Sequence, residues 1–273
     1  MSIGDTPPGT AGKVPVLDTA VESYRFVFSN LDRFLALGWL PLLITFAVYM
    51  ASDILADVGG GENGFVTDWA SDIVLEAGSL AMYAVFAVRW HRFFLLGEHE
   101  SVFIGIFSPR DWRFLGYAAL LTWTPFVPMW VYLLISEFVS GLFSIAASIL
   151  LFVMFRFSLV LPGTAVDRPL GLGEAWRNLR GNTWRFIGAS FLVVIPYVIP
   201  LWIVLKIFDL SLFTGTTNGA PEPTIGVLVA TNAVWAIVGF FATAVGVTVL
   251  SKFYRHIVGG ERGEGSAVTA APV

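Results

Sequence analysis

Long apolar stretches, almost free of charge, recur along this chain and leave it little choice of fold. They occupy residues 34–56, 73–94, 114–135, 138–161, 186–208 and 225–253. A helix rises about 1.5 Å per residue, so crossing a hydrocarbon layer takes about 20 mainly apolar residues. Lipid offers the backbone no hydrogen-bond partners, and a helix is the structure in which each such run can satisfy its own N–H and C=O groups. Composition agrees. The chain is 56% hydrophobic and 13% charged, where soluble domains carry about 25% charge. The expectation is an all-α integral membrane protein of six transmembrane helices. Only Ser136 and Glu137 separate the third and fourth, which should form a tight hairpin.

The basic residues orient the spans. With the N-terminus inside, every lysine and arginine except Lys206 falls on the inner side, the bias expected of cytoplasmic loops. The first outer segment, Asp53 to Asp72, carries acids and no cation, and contains the Gly59-Gly60-Gly61 turn. Both termini are therefore expected in the cytoplasm. The polar start of the chain has no apolar core of a signal peptide, and residues 1–12 and 263–273 read as disordered ends. There is no cysteine, and His91, His99 and His256 show no metal-ligand spacing. No zinc-protease, nucleophile-elbow or phosphate-loop signature occurs. Neither an enzymatic activity, a cofactor, a metal nor a nucleic-acid partner is expected.

Three passages resemble one another. Arg33-Phe34-Leu35, Arg113-Phe114-Leu115 and Arg185-Phe186-Ile187 each open an odd-numbered span at the arginine-rich side, and Trp112 and Trp184 precede the second and third. Upstream lie amphipathic stretches: Leu17, Ala20, Val21, Tyr24 and Phe28 in the first copy, and Leu172, Ala175, Trp176 and Leu179 in the third. A weaker one (Val102, Phe103, Ile106, Phe107) precedes the second. Such helices are expected to lie in the inner headgroup region. Each even span ends near a cation (Arg89, Arg156, Lys252), followed by an acid (Glu98, Asp167, Glu261). The chain thus divides into repeats at 13–97, 98–168 and 169–262, packed with pseudo-threefold symmetry.

The cations Arg33, Arg113, Arg185, Arg89, Arg156 and Lys252 are the candidate site. Together they could form a ring for anionic phospholipid, since arginine's planar fork suits phosphate. They could equally be snorkelling topology anchors. Arg156 lies within its span, with Asp167 and Glu174 as candidate partners. The odd spans alone carry interior prolines: Pro41, Pro125 and Pro128, Pro196 and Pro200. Kinks there could open a cavity among those helices or only help them pack. Glu76, with Lys206 and Asp209, is the kind of group a proton-coupled carrier would use, though no ionisable residue is evident near a mid-span. Ala242 and Gly246 give a small-xxx-small spacing that suits helix association.

Residues Arg156 to Pro196 resemble the most recognisable stretch of a broad group of uncharacterised bacterial multi-pass proteins. These are the YciC-like proteins and the membrane domain attached to some glycerophosphodiester phosphodiesterases. The matching positions are Arg156, Leu161-Pro162, Asp167, Ala175-Trp176, Gly181 and Trp184-Arg185. The resemblance implies a six-span protein of the bacterial inner membrane. It implies no phosphodiesterase chemistry, because that domain is absent from this sequence. Two functions follow as expectations. The first is a non-enzymatic, lipid-interacting or accessory scaffold, with anionic phospholipid and a membrane-protein partner or second copy as partners. The alternative is a small transporter or flippase-like protein.

Overall fold

The structure of the protein, a computed structural model, describes residues 13–58, 64–99, 108–124, 140–207 and 225–266. Regular structure among them is helical: α1 (Val16–Ser29), α2 (Leu31–Val58), α3 (Gly64–Leu96), α4 (Pro109–Trp123), α5 (Ser140–Phe157), α6 (Val160–Ala165), α7 (Leu172–Asn178), α8 (Thr183–Ile207) and α9 (Ile225–Ser266). Four segments are long and apolar enough to cross a membrane: Leu31–Leu55, Asp72–Leu96, Ile145–Ala165 and Ile225–Gly259. Thr183–Val198 in α8 is a shorter apolar helix. This is a multi-pass α-helical membrane protein. The outer part of the third expected span, its tight connection to the fourth and the middle amphipathic stretch lie outside the described residues. So do residues 1–12 and the end of the expected C-terminal tail.

The bundle is built around α3, which packs on α2, α4 and α9. Small residues set how closely. A Cβ on Gly78 would stand 3.0 Å from Val48 Cγ1, so α2 and α3 touch where that side chain is missing. A Cβ on Gly239 would stand 2.2 Å from the Tyr83 hydroxyl, so α9 presses its backbone against the tyrosine tip. Toward the arginine-rich end the core is aromatic. Phe86 lies 5.6 Å from Trp90, 5.7 Å from Phe34 and 5.3 Å from Phe240, centroid to centroid. The Trp90 indole N–H donates to Thr248 Oγ1 at 2.9 Å, which removes the cost of burying it.

The three similar passages take matching environments. Phe34, Phe114 and Phe186 are all buried, whereas Trp112 and Trp184 are exposed. Each described amphipathic helix buries one face in the bundle. On α1 the face turned into the bundle is Thr19, Ala20, Ser23 and Val27, against α8 and α9. Leu17, Val21 and Phe28 are exposed, because small residues allow helices to approach more closely than large ones. On α7, Ala175 and Leu179 are buried while Leu172 is exposed. Pro41 lies inside α2, which continues through it. The fourth span is broken after Phe157, and Pro162 falls in the first turn of α6, where the missing N–H costs nothing.

Gly239→Ala should destabilise the protein by about 1–3 kcal/mol, since the added methyl must displace the Tyr83 ring. Gly246→Ala, on the same helix with nothing within 4 Å, should be neutral or stabilising by up to about 1 kcal/mol. Thermal unfolding of both variants in detergent measures the difference.

Candidate functional site

Two polar features stand at opposite ends of α3. At the arginine-rich end, α3 is stopped by Gly97, whose φ of 68° is the left-handed conformation that glycine adopts freely. The chain turns there and brings Glu98 back to Arg92. The pair is bidentate, with Nε to Oε2 at 2.6 Å and Nη2 to Oε1 at 2.7 Å. Arg92 also donates through Nη1 to Asp167 Oδ2 at 2.8 Å and to the Ala165 carbonyl at 3.1 Å. Arg110, from α4, donates to the same Asp167 oxygen at 3.0 Å.

Asp167 is held there by a helix-ending motif. Arg168 N–H donates to the Gly163 carbonyl at 2.8 Å and Asp167 N–H to the Thr164 carbonyl at 3.3 Å, the paired bonds of a Schellman cap. The cap places Asp167 at φ 56°, a position glycine usually takes. A side chain in that conformation costs about 1–2 kcal/mol, which its two guanidinium partners offset. A Cβ on Gly163 would stand 2.8 Å from the Arg168 carbonyl, so the turn needs glycine there. Burial works against the Asp167 carboxylate, but the hydrogen bonds and charges of Arg110 and Arg92 outweigh it and hold its pKa below the usual value.

A second pair lies beside the first. Arg89 Nη2 is 3.6 Å from Asp111 Oδ2, and both side chains are buried. Asp111 also completes the N-terminal cap of α4, where Ser108 and Asp111 bond reciprocally. The arginine-rich ends of α3, α4 and α6 are thus tied by charge.

The six candidate cations each have their own partner. Arg89 has Asp111, Lys252 has Glu22 on α1, and Arg33 lies 3.8 Å from Asp32. The Lys252 hydrogen bond holds the Glu22 carboxyl below its ordinary pKa. Arg185 donates to the Val14 carbonyl at 3.0 Å and Arg113 to that of Pro109 at 3.3 Å. Arg156 takes neither Asp167 nor Glu174. Its guanidinium stacks 4.0 Å from the Trp176 ring centroid and donates to the Trp176 carbonyl at 2.7 Å. Glu98 and Asp167, the acids that follow the second and fourth spans, both converge on Arg92.

The second feature is a cavity of about 560 Å³ between α2, α3, α4 and α9. It runs from Asp53, Glu76 and Asn232, near the acidic ends of their helices, down to Tyr83 and Thr243. Tyr83 stands at the middle of Asp72–Leu96, and Thr243 near the middle of Ile225–Gly259. Asn232 Nδ2 donates to Asp53 Oδ2 at 2.6 Å, and the Tyr49 and Tyr83 hydroxyls share a hydrogen bond of 2.9 Å. Beyond Tyr83 a smaller space of about 270 Å³ lies toward the arginine-rich end. Leu80, Tyr83 and Thr243 line both. The inner space is lined by apolar groups and by His91. His91 is fully buried; its Nδ1 is 2.7 Å from Ser251 Oγ, and its Nε2 has no hydrogen-bond partner among the described residues.

The cavity's described lining residues come from α2 and α4, which belong to two of the proline-bearing spans, and from α3 and α9. Of its polar residues, sequence reasoning marked only Glu76. The available signal was a helical stripe of polar residues in otherwise apolar runs: Tyr49, Ser52 and Asp53 on α2, and Glu76, Ser79 and Tyr83 on α3. Comparison with family models, with curated proteins and with solved structures gives no match to this chain.

Asp111→Ala leaves the buried Arg89 without its counter-charge and should cost about 3–5 kcal/mol. Asp167→Ala should cost less, because the Asp167 side chain is half exposed. Asp167→Gly, which loses the same charge but relieves the backbone, should recover about 1 kcal/mol of it. The Asp167 carboxyl is lowered in the folded state, so its contribution is full above about pH 4 and is lost as pH falls further. Thermal unfolding against pH should slope below that point in the parent and flatten in Asp167→Asn.

Proposed function

We propose that this chain is a small, non-enzymatic carrier of the bacterial inner membrane that takes a polar solute into the cavity between α2, α3, α4 and α9. The observation that supports it is a cavity with carboxylates, hydroxyls and an amide in its wall that reaches mid-span in a bundle whose solvent is lipid. Desolvated polar groups are costly in hydrocarbon, so Asp53, Glu76 and Asn232 are explained most simply by water or solute entering beside them. Below Tyr83 the lining turns apolar, and at the far end charged pairs join α3, α4 and α6. A wet vestibule, a dry section and an ion-paired end are the parts a carrier needs to expose a site to one side at a time.

In this reading the chain has six spans arranged as three repeats, with both termini in the cytoplasm and the ion-paired end inward. The matched burial of Phe34, Phe114 and Phe186 supports the repeat. The arginine bias supports the orientation. A lipid-interacting role is the second reading. It is favoured by the exposure of Trp112 and Trp184 beside Arg113 and Arg185, where aromatic rings and guanidinium groups meet headgroups.

The absence of cysteine makes the carrier reading directly testable. In intact cells, Ser79→Cys should react with a membrane-impermeant thiol reagent from outside. Ala87→Cys, which lines the inner space, should react only from the cytoplasmic side, in inverted vesicles. Val245→Cys, buried and away from both spaces, should stay unreactive. A carrier is ruled out if Ser79→Cys is closed to the outside or Ala87→Cys is closed from both sides.

A further inference from the structure

The hydrogen-bond inventory of the cavity wall identifies the chemistry it is built to receive. A hydroxyl has one proton to donate and two lone pairs to offer. Ser79 gives its proton to the Leu75 carbonyl of its own helix, and Thr243 gives its proton to the Gly239 carbonyl at 2.8 Å. Both therefore present lone pairs. Asn232 Nδ2 faces the Asp53 carboxylate, an acceptor only, which identifies it as the donor end of the amide. Its two protons go to Asp53 Oδ2 at 2.6 Å and Met50 Sδ at 3.3 Å, leaving its carbonyl oxygen as an acceptor. Tyr49 and Tyr83 share one hydrogen bond, which consumes one of their two protons. The carboxylates of Asp53 and Glu76 add acceptors and negative charge.

The wall thus presents several acceptors beside the hydroxyls of Ser52 and Thr122 and the Trp235 indole N–H, and none of its described lining residues is basic. A ligand that matches the Asp53 and Glu76 carboxylates brings positive charge. Two further features narrow the class. A cavity of about 560 Å³ falls in the range of small-molecule sites. Tyr49, Tyr83 and Trp235 line the same space, and aromatic rings attract cations while also packing on alkyl groups. The segment from Asp53 to Asp72 carries five acids and no lysine or arginine, so the potential at this end draws cations toward the cavity. We infer that the cavity is a binding site for a small organic ammonium ion, held by Asp53 and Glu76 against aromatic walls. This inference rests on the carrier reading above.

The test is isothermal titration of the full chain in nanodiscs with tetraethylammonium, with sorbitol and glutamate as neutral and anionic comparisons. Tetraethylammonium should bind, and sorbitol and glutamate should not. The Asp53→Asn/Glu76→Gln double variant should weaken binding at least tenfold. Because Asp53 also bonds to Asn232, Glu76→Gln alone and Trp235→Phe are measured as well, each expected to weaken binding severalfold with unfolding temperature unchanged. Binding of tetraethylammonium that none of these variants alters overturns the site. No tetraethylammonium binding, while Ser79→Cys is still labelled from outside, overturns the cation assignment and leaves the carrier standing. An unlabelled Ser79→Cys removes both.

Discussion

Lipid supplies no hydrogen bonds, so every polar group that α3 carries into the membrane must find its partner inside the protein. This constraint orders the bundle. Trp90 reaches Thr248, His91 reaches Ser251 and Tyr83 reaches Tyr49. Arg89 and Arg92 are met by acids from α4 and from the turns after α3 and α6. The neighbours of α3 are placed where those partners are available, and Gly78 and Gly239 permit the approach. Loss of one partner leaves a polar or charged group in a low-dielectric interior, which costs more than the bond itself contributes.

The consequence is a molecule with two unlike halves. Toward the arginine-rich end, Phe34, Phe86, Trp90 and Phe240 interlock and charged pairs tie the helix ends. Toward the acidic end, Asp53, Glu76, Ser79 and Asn232 surround open space. A uniformly packed apolar bundle would need none of these groups. Ser79 and Asn232 find partners within the protein, whereas the Asp53 and Glu76 carboxylates favour water or a solute beside them, and the functional reading rests on that argument. The arginines that dominate the sequence are mostly engaged with carboxylates, backbone carbonyls and one indole, so their contribution is to shape and orientation as much as to any ligand.

Some of the candidate site was legible in the sequence and much was not. Glu76 was visible as an acid inside the edge of a span. The aromatic-basic passages pointed to Phe34, Phe114 and Phe186, which all prove to be buried. Cavity residues such as Tyr49, Ser79, Asn232 and Thr243 are ordinary in isolation. They belong to three different helices, two of them to distant turns of one, and no local pattern announces that they share a space. The choice of partners was equally hidden. Spacing along the chain set Glu98 after Arg89 and Asp167 after Arg156. The three-dimensional arrangement gives both acids to Arg92, because Gly97 reverses the chain after α3 and the Schellman turn aims Asp167 at the same guanidinium.

What the sequence determined by itself is the solvent and the kind of fold: runs of apolar residues too long and too poorly charged for water must cross lipid, and in lipid they must be helical. The positions of arginine and lysine carry the expected orientation for the same one-dimensional reason, since charge resists transfer wherever it occurs along the chain. Only the tertiary structure decided which polar groups face one another, where the bundle is dry and where it is open. Those outcomes depend on the angles and contacts of packed helices, which side chains far apart in the chain set jointly.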